Sequence, residues 1–292
     1  MEHVNRIVRL DPVYSYGRMQ AGTNMKLFLF GYKSRYRAEV LQRLGQGKES
    51  PILTEEDMAH LPGPVEKYLR YVGAPGKPKI QNFRARFSGS MKLKMQGDWI
   101  PILADQYNFY EEPARIFYIR SSMFGIPIEG LHRYAGNSAT MQIKVASLLR
   151  VVNARGEKMT HGETVTMFND MCVIAPPTLI DKKIQWKTID PLTIQATFTN
   201  HGIPITATLS FNEDGALVNF ISNDRYYSED GKTYISYPWS TPVKEYRDVD
   251  GRKVPVSAQA VWHTPQGEYV YAKFDVKEIE YNCRTFIGPN LR

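Results

Sequence analysis

Six histidines stand along the chain, His3, His60, His132, His161, His201 and His263, and no two are close enough for an H-E-x-x-H pair or any other local zinc signature. A metal site would have to be gathered from distant elements, so surface or structural imidazoles are the plainer expectation. Local nucleophile signatures are equally missing. Ser88-Gly89-Ser90 lies within an alternating segment, no G-x-S-x-G elbow occurs, and Cys172 and Cys283 stand far apart without metal or redox spacing. Free thiols are therefore expected, with a long-range disulfide as the alternative. A Ser or Asp could still meet His132 or His263 through the fold, because triads are defined by geometry and not by order. Gly73-Ala74-Pro75-Gly76-Lys77 and Gly45-Gln46-Gly47-Lys48 lack the spacing and the Ser or Thr of a phosphate loop, and no G-x-G-x-x-G is present. No cofactor is implied.

Two sets of side chains point to binding. Arg84, Arg86, Lys92 and Lys94 form a cationic row suited to phosphates, but Phe83 and Phe87 alternate with it and point the other way. A solvent-facing row that keeps a strand soluble fits better than a nucleic-acid surface. The second set is aromatic and methionine-rich: Trp99, Tyr107, Phe109, Phe117, Met141, Phe168, Met171, Trp186, Phe198 and Trp262. Most such residues build a core, yet a strongly bent sheet encloses more volume than a flat sandwich, and this is the lining that adapts to flexible apolar ligands. Arg133-Tyr134 and Arg225-Tyr226 would supply a polar mouth, since an arginine can hold an acid head group in a bidentate grip.

The elements that must position these groups are mostly strands. From Lys79 to Met95, Phe83, Ala85, Phe87, Met91, Leu93 and Met95 alternate with Arg84, Arg86, Ser88, Ser90, Lys92 and Lys94, the period of one long two-faced strand. Further strands are expected at 102–111, 115–121, 126–134 and 139–145, with turns at Glu112-Pro113, Gly125 and Ala135-Gly136-Asn137. From Glu163 the period becomes helical, with Val165, Phe168, Met171 and Cys172 on one side before Pro176-Pro177 stop it. The pair 184–189 and 192–199 turns at Asp190-Pro191. A hairpin meander follows, with turns ending at Gly215, Gly231, Gly251 and Gly267.

Ahead of the strands, Tyr36, Val40, Leu41 and Leu44 mark a helical face that Gly45 can close. Thr54 caps Glu55-Glu56-Asp57, and Pro64 opens a helix carrying Val65, Tyr68, Leu69 and Val72 before Gly73 ends it. Residues 1–34 read as an irregular arm. Of the net charge of +7, residues 1–50 hold +5, from nine Lys or Arg against four acids. An arm of that sign suits an acidic membrane surface. At 292 residues and 42 % hydrophobic content the chain can bury a sizeable core, and no apolar run approaches the roughly 20 residues that span a bilayer.

Leu61-Pro62-Gly63-Pro64-Val65-Glu66-Lys67-Tyr68-Leu69-Arg70-Tyr71, Gly76-Lys77-Pro78, and Gly130 with Arg133-Tyr134 resemble a bacterial family catalogued as a domain of unknown function. So do Phe211-Asn212-Glu213-Asp214-Gly215, Arg225-Tyr226, Tyr246, Asp250-Gly251, Val254-Pro255, Val261-Trp262-His263 and Ile279-Glu280-Tyr281-Asn282. The likeness spans about residues 54–282 and brings no activity with it. The order of elements is similar to the open half-barrel of lipoprotein carriers and sorting factors. By default the chain reads as cytoplasmic, and by that analogy as a protein of the cell envelope.

Together these readings give an α+β protein: a basic arm and short helix over 1–53, then one unit over 54–292. That unit has N-terminal helices, a strongly curved antiparallel sheet forming an open half-barrel of about ten strands, and one helix crossing its concave side. The leading functional expectation is non-catalytic binding of an apolar or amphipathic small molecule, lipid-like or fatty-acid-like, with no metal. The alternatives are a hydrolase of a lipid-like ester with a dispersed catalytic set, and a scaffold with a filled core and a basic interaction arm.

Overall fold

A computed structural model describes residues 31–44, 49–146, 148–228 and 233–289. The expected basic arm therefore lies almost wholly outside the described residues, as do Gly45 and Gly231. Three helices precede the sheet: α1 (Tyr32–Leu44), α2 (Glu55–Met58) and α3 (Gly63–Tyr71). Thr54 caps α2 in a reciprocal capping box with Asp57, and proline occupies the first turn of α3, where a missing amide hydrogen costs nothing.

The strands are β1 (Asn82–Met91), β2 (Ile100–Phe109), β3 (Ala114–Met123), β4 (Ile126–Ala135), β5 (Ser138–Val145) and β6 (Leu149–Arg155). After helix α4 (Glu157–Val173) and a 3-10 turn at Pro176–Ile180 come β7 (Gln185–Asp190), β8 (Thr193–Asn200), β9 (Ile203–Phe211) and β10 (Leu217–Ser222). The last are β11 (Tyr226–Tyr227), β12 (Ile235–Ser236), β13 (Trp239–Pro242), β14 (Tyr246–Val249), β15 (Arg252–Pro255), β16 (Ser257–Thr264) and β17 (Gly267–Tyr281). Among the described residues, thirteen strands make one antiparallel sheet in the order β6-β5-β4-β3-β2-β1-β17-β16-β13-β10-β9-β8-β7, and β11-β12 and β14-β15 form two small ribbons. The sheet is thus wider than the ten strands expected.

Its curvature follows from one contact. Tyr134 on β4 and Asn200 on β8 are nine strand spacings apart in the sheet order, roughly 43 Å if the sheet were flat. Their side chains nevertheless meet, with Asn200 Nδ2 donating to the Tyr134 hydroxyl at 2.6 Å. The sheet wraps around α4, which touches β5 and β6 on one side and β9 and β10 on the other. Among the described residues it remains open, with β6 and β7 as its edges.

Alternation in β1 places Phe83, Ala85 and Phe87 in the inner core as expected. The cationic row departs from expectation. Arg84 is only 2 % exposed, and β1 lies in the middle of the sheet. Its guanidinium donates to Asp105 at 2.6 Å and 3.1 Å and reaches Glu278 and Glu280, while Arg86 pairs with Glu278 at 2.8 Å. β1 ends at Met91, so Lys92 and Lys94 fall outside the strand.

The outer face over β2–β4 is covered rather than bare. Tyr32, Tyr36, Val40 and Leu44 of α1 pack on Tyr107, Ile116, Tyr118 and Leu131, and Phe286 of the C-terminal segment stacks on Tyr107. The Tyr36 hydroxyl donates to Asp105, and Arg133 Nε donates to Glu39 at 2.5 Å. Cys172 and Cys283 are free and buried in separate cores. No helix among the described residues is long and apolar enough to cross a membrane.

Gly89 on β1 faces Phe274 of β17, and a Cβ there would overlap the backbone carbonyl of Lys273. Because that obstacle is backbone, relief requires separating the two strands at the centre of the sheet. Gly89→Ala is expected to cost about 2 kcal/mol or more, read as a lower urea midpoint.

Candidate functional site

The inner face of the sheet and α4 enclose a polar cluster within an otherwise apolar interior. On β2 the inward positions are Ala104, Gln106 and Asn108, while Asp105 and Tyr107 point outward. Gln106 and Asn108 both donate to Asp170 Oδ2 of α4, at 2.7 Å and 2.9 Å. Arg115 on β3 donates through Nε to the same oxygen at 2.8 Å, through a terminal nitrogen to Glu163 at 3.2 Å, and through the other to Gln106 at 3.2 Å. Glu163 and Asp170 lie seven residues apart on α4, two turns, so both carboxylates face the β2–β3 wall.

Arg225 approaches Glu163 from the opposite wall at 3.8 Å, donates to the Tyr271 hydroxyl at 3.3 Å, and lies over the Trp239 ring at 4.3 Å. Two arginines thus face two carboxylates in a charge-balanced set. Burial pushes the Glu163 carboxyl up, but Arg115, His132 and Arg225 outweigh it and hold it below the ordinary carboxylate range. Asp170 goes the other way: burial raises it, and Arg115 and Asn108 offset that only in part. His132, set edge-on to Phe117, is pushed down to about 4, chiefly by burial.

The residues singled out from sequence are divided among three places. Phe117, Phe168, Met171, Phe198 and Trp262 lie in the inner core, where Phe168 stacks on Phe198 with ring centroids 5.0 Å apart. Trp186 packs against that core from β7, and Met141 faces inward beside His132 on β4. Tyr107 and Phe109 are on the other face, beneath α1, and Trp99 is exposed, with Lys92 and Lys273 over its ring. Of the polar group, Tyr134 is inside, bonded to Thr164 at 3.0 Å, Arg225 is inside, and Tyr226 stands against His161 of α4. Arg133 points outward to Glu39, so it does not join that group.

Sequence reasoning passed over Gln106, Asn108, Arg115, Glu163 and Asp170. A signal exists for the first two. β2 carries polar residues on both faces between aromatic neighbours, and a strand buried on both sides can hold them only if each side supplies partners.

A serine and a histidine do meet. Ser240 Oγ lies 2.8 Å from His263 Nε2, and His263 Nδ1 lies 3.5 Å from Glu268. Trp239 faces α4 through Phe220 and Phe168, so its neighbour Ser240 is on the outer face. The serine is 1 % exposed, and attack on an ester would need a carbonyl brought to that oxygen. Among the described residues no three His, Cys, Asp or Glu side chains gather as metal ligands would.

The family of unknown function DUF6544 matches residues 51–274, and the chain belongs to it. No curated protein matches the sequence. Three solved structures are similar in fold at low identity. A DUF1329 family protein from Desulfovibrio piger has a TM-score of 0.42 at 9% identity, over 75% of this chain and 91% of its own. A domain assigned as an outer membrane lipoprotein-sorting protein, from Vibrio parahaemolyticus, gives 0.40 at 7%, over 68% and 85%. A LolA superfamily protein from Nitrosomonas europaea gives 0.39 at 9%, over 74% and 93%.

Arg115→Gln would leave two buried carboxylates short of a counter-charge and is expected to cost about 3–5 kcal/mol, whereas adding Glu163→Gln and Asp170→Asn should recover much of that loss; denaturant titration of the single and triple variants checks both. For His132, the unfolded chain takes up its proton near the ordinary value of roughly 6.5 and the folded chain only near 4. Protons therefore favour the unfolded state. The His132 contribution is fully present above about pH 6.5 and declines to about pH 4, by roughly 2 kcal/mol once remaining contact with water is allowed for. His132→Gln should remove that part of the acid slope.

Proposed function

We propose that this protein is a non-catalytic binding protein whose inner sheet face takes an apolar or amphipathic molecule with an acid head group, in exchange for α4. The observation that carries this reading is the chemistry of the present occupant. α4 lays Val165, Phe168 and Met171 against an aromatic wall and sets carboxylates against Arg115 and Arg225. An apolar body with an acid on arginine is also the outline of a fatty acid or an acidic lipid.

The apolar areas exchanged are of similar size. Val165, Met167, Phe168, Met171 and Val173 are buried, and re-exposing five such side chains costs about 8–15 kcal/mol. Burying a 16-carbon chain returns about 13 kcal/mol at roughly 0.8 kcal/mol per methylene. Gly156, at φ 107°, precedes α4, and Pro176-Pro177 follow it, so the helix is bounded by residues that interrupt regular backbone at both ends.

A second reading, a scaffold with a filled core, is favoured by the location of free space. Hollows of about 430 Å³, beside Thr140, Arg155, Glu157 and Ile203, and about 390 Å³, beside Lys33, Arg37 and Phe286, are open and lie at the surface. Neither lies between α4 and the aromatic wall.

A fluorescent polyene fatty acid titrated into the full chain separates the two readings. Saturable enhancement that Arg225→Gln weakens about tenfold, with the variant still folded by circular dichroism, is expected for the binding protein. No enhancement, together with native mass spectra free of any co-purified lipid, would leave the filled scaffold.

A further inference from the structure

The half of the sheet made by β1–β6 has two chemically different ends. At one end the chain turns through Glu111-Glu112-Pro113 and Gly136-Asn137, which are polar and acidic. At the other, three links lie side by side: 92–99, 124–125 and the one that holds Ala146 and Leu148. The register holds them there, with Met91 opposite Ile100, Met123 opposite Ile126 and Val145 opposite Leu149, and the Ala146 amide donates to the Pro127 carbonyl at 2.8 Å.

This second end presents Leu93, Met123, Phe124, Ile126, Leu148 and Leu149 to solvent, with Phe124 95%, Leu148 88% and Leu149 66% exposed. Single exposed apolar residues are ordinary, but a contiguous row on adjacent tips marks an interaction surface. The residues at and next to these tips include Lys92, Lys94, Arg120, Lys144 and Arg150 against two acids, Asp98 and Glu129, the latter between Arg120 and Lys144 in the register.

The Phe124 turn adds an independent observation. Phe124 and Gly125 have φ of 53° and 77°, so both central residues of this hairpin are left-handed, a geometry that favours Asn or Asp before Gly. The equivalent turn at Asp250-Gly251, with φ of 52° and 73°, follows that preference. A phenylalanine at position 124 is strained in its backbone and wetted on its ring, and neither helps the chain fold.

We propose that this rim docks on an anionic lipid bilayer. The apolar tips enter the boundary between head groups and acyl chains, and the flanking cations meet lipid phosphates. A second copy of the chain fits less well, because pairing the rims would set two cationic rows against each other. The surface is separate from α4 and its hollow, so docking does not depend on the function proposed for that site.

Flotation of the full chain with vesicles tests this. Vesicles of phosphatidylcholine with about a third phosphatidylglycerol should carry the protein, and pure phosphatidylcholine should carry much less. Phe124→Asn combined with Leu148→Ser should lower the bound fraction about tenfold, while Glu111→Gln with Glu112→Gln at the opposite end should not change it. Phe124→Asn alone should keep or raise the melting temperature, since asparagine suits the turn, so lost docking would not reflect lost folding. The proposal is overturned if wild-type protein stays unbound to anionic vesicles, if it floats equally with neutral ones, or if the double variant floats as well as wild type. It is also overturned if sedimentation shows the tips holding a dimer that Phe124→Asn dissolves while vesicles remain bare.

Discussion

Arg115 is the residue around which the interior is organised. It bridges Glu163 and Asp170 on one helix and is braced by Gln106 on the neighbouring strand. Burying such a set brings little net stability, because removing charges from water costs about as much as their attraction returns. What it imposes is position. A slip of α4 by one residue would turn both carboxylates away from Arg115 toward apolar side chains, and that penalty leaves the helix one register. With α4 fixed, the two arms of the sheet close on it, and Tyr134 can reach Asn200 across the hollow.

β2 joins this interior to a second polar cluster on its reverse side. Asp105 points outward to Arg84 and Tyr36, and the next residue, Gln106, points inward to Asp170. One strand therefore anchors α1 on the outer face and α4 on the inner face. The sheet acts as a middle layer, and each helix docks through a buried carboxylate as well as through apolar contact.

Much of the architecture was legible because it depends on local period. The alternation of β1, the Thr54 cap, the proline of α3 and the glycine-ended turns all reflect restraints acting within a few residues. Local period does not identify a face whose cover comes from a distant part of the chain. Alternation placed Arg84 opposite Phe83 but could not show that Glu278, Glu280 and Asp105 would enclose it. β2 carries large side chains on both faces, so Tyr107 and Phe109 could be grouped with Phe117 although they sit under α1. β6 carries no burial signal, because Leu149 and Val151 are exposed beside arginines, and the first turns of α4 carry none because Glu157–Gly162 have no apolar period. The candidate site was the least legible part, since Arg115 and Asp170 are 55 residues apart and only the bend of the sheet unites them.

The cover of the outer face comes from beyond the stretch matched by the family. Tyr36 and Glu39 precede residue 51, and Phe286 follows residue 274. A protein cut back to residues 51–274 would thus carry an uncapped row of tyrosines and a shortened β17, with Arg133 stripped of Glu39 and Arg84 of Glu278 and Glu280. Such a fragment would tend to clump through its exposed back. Any version of this fold without these flanking pieces must hide the same surface by some other means.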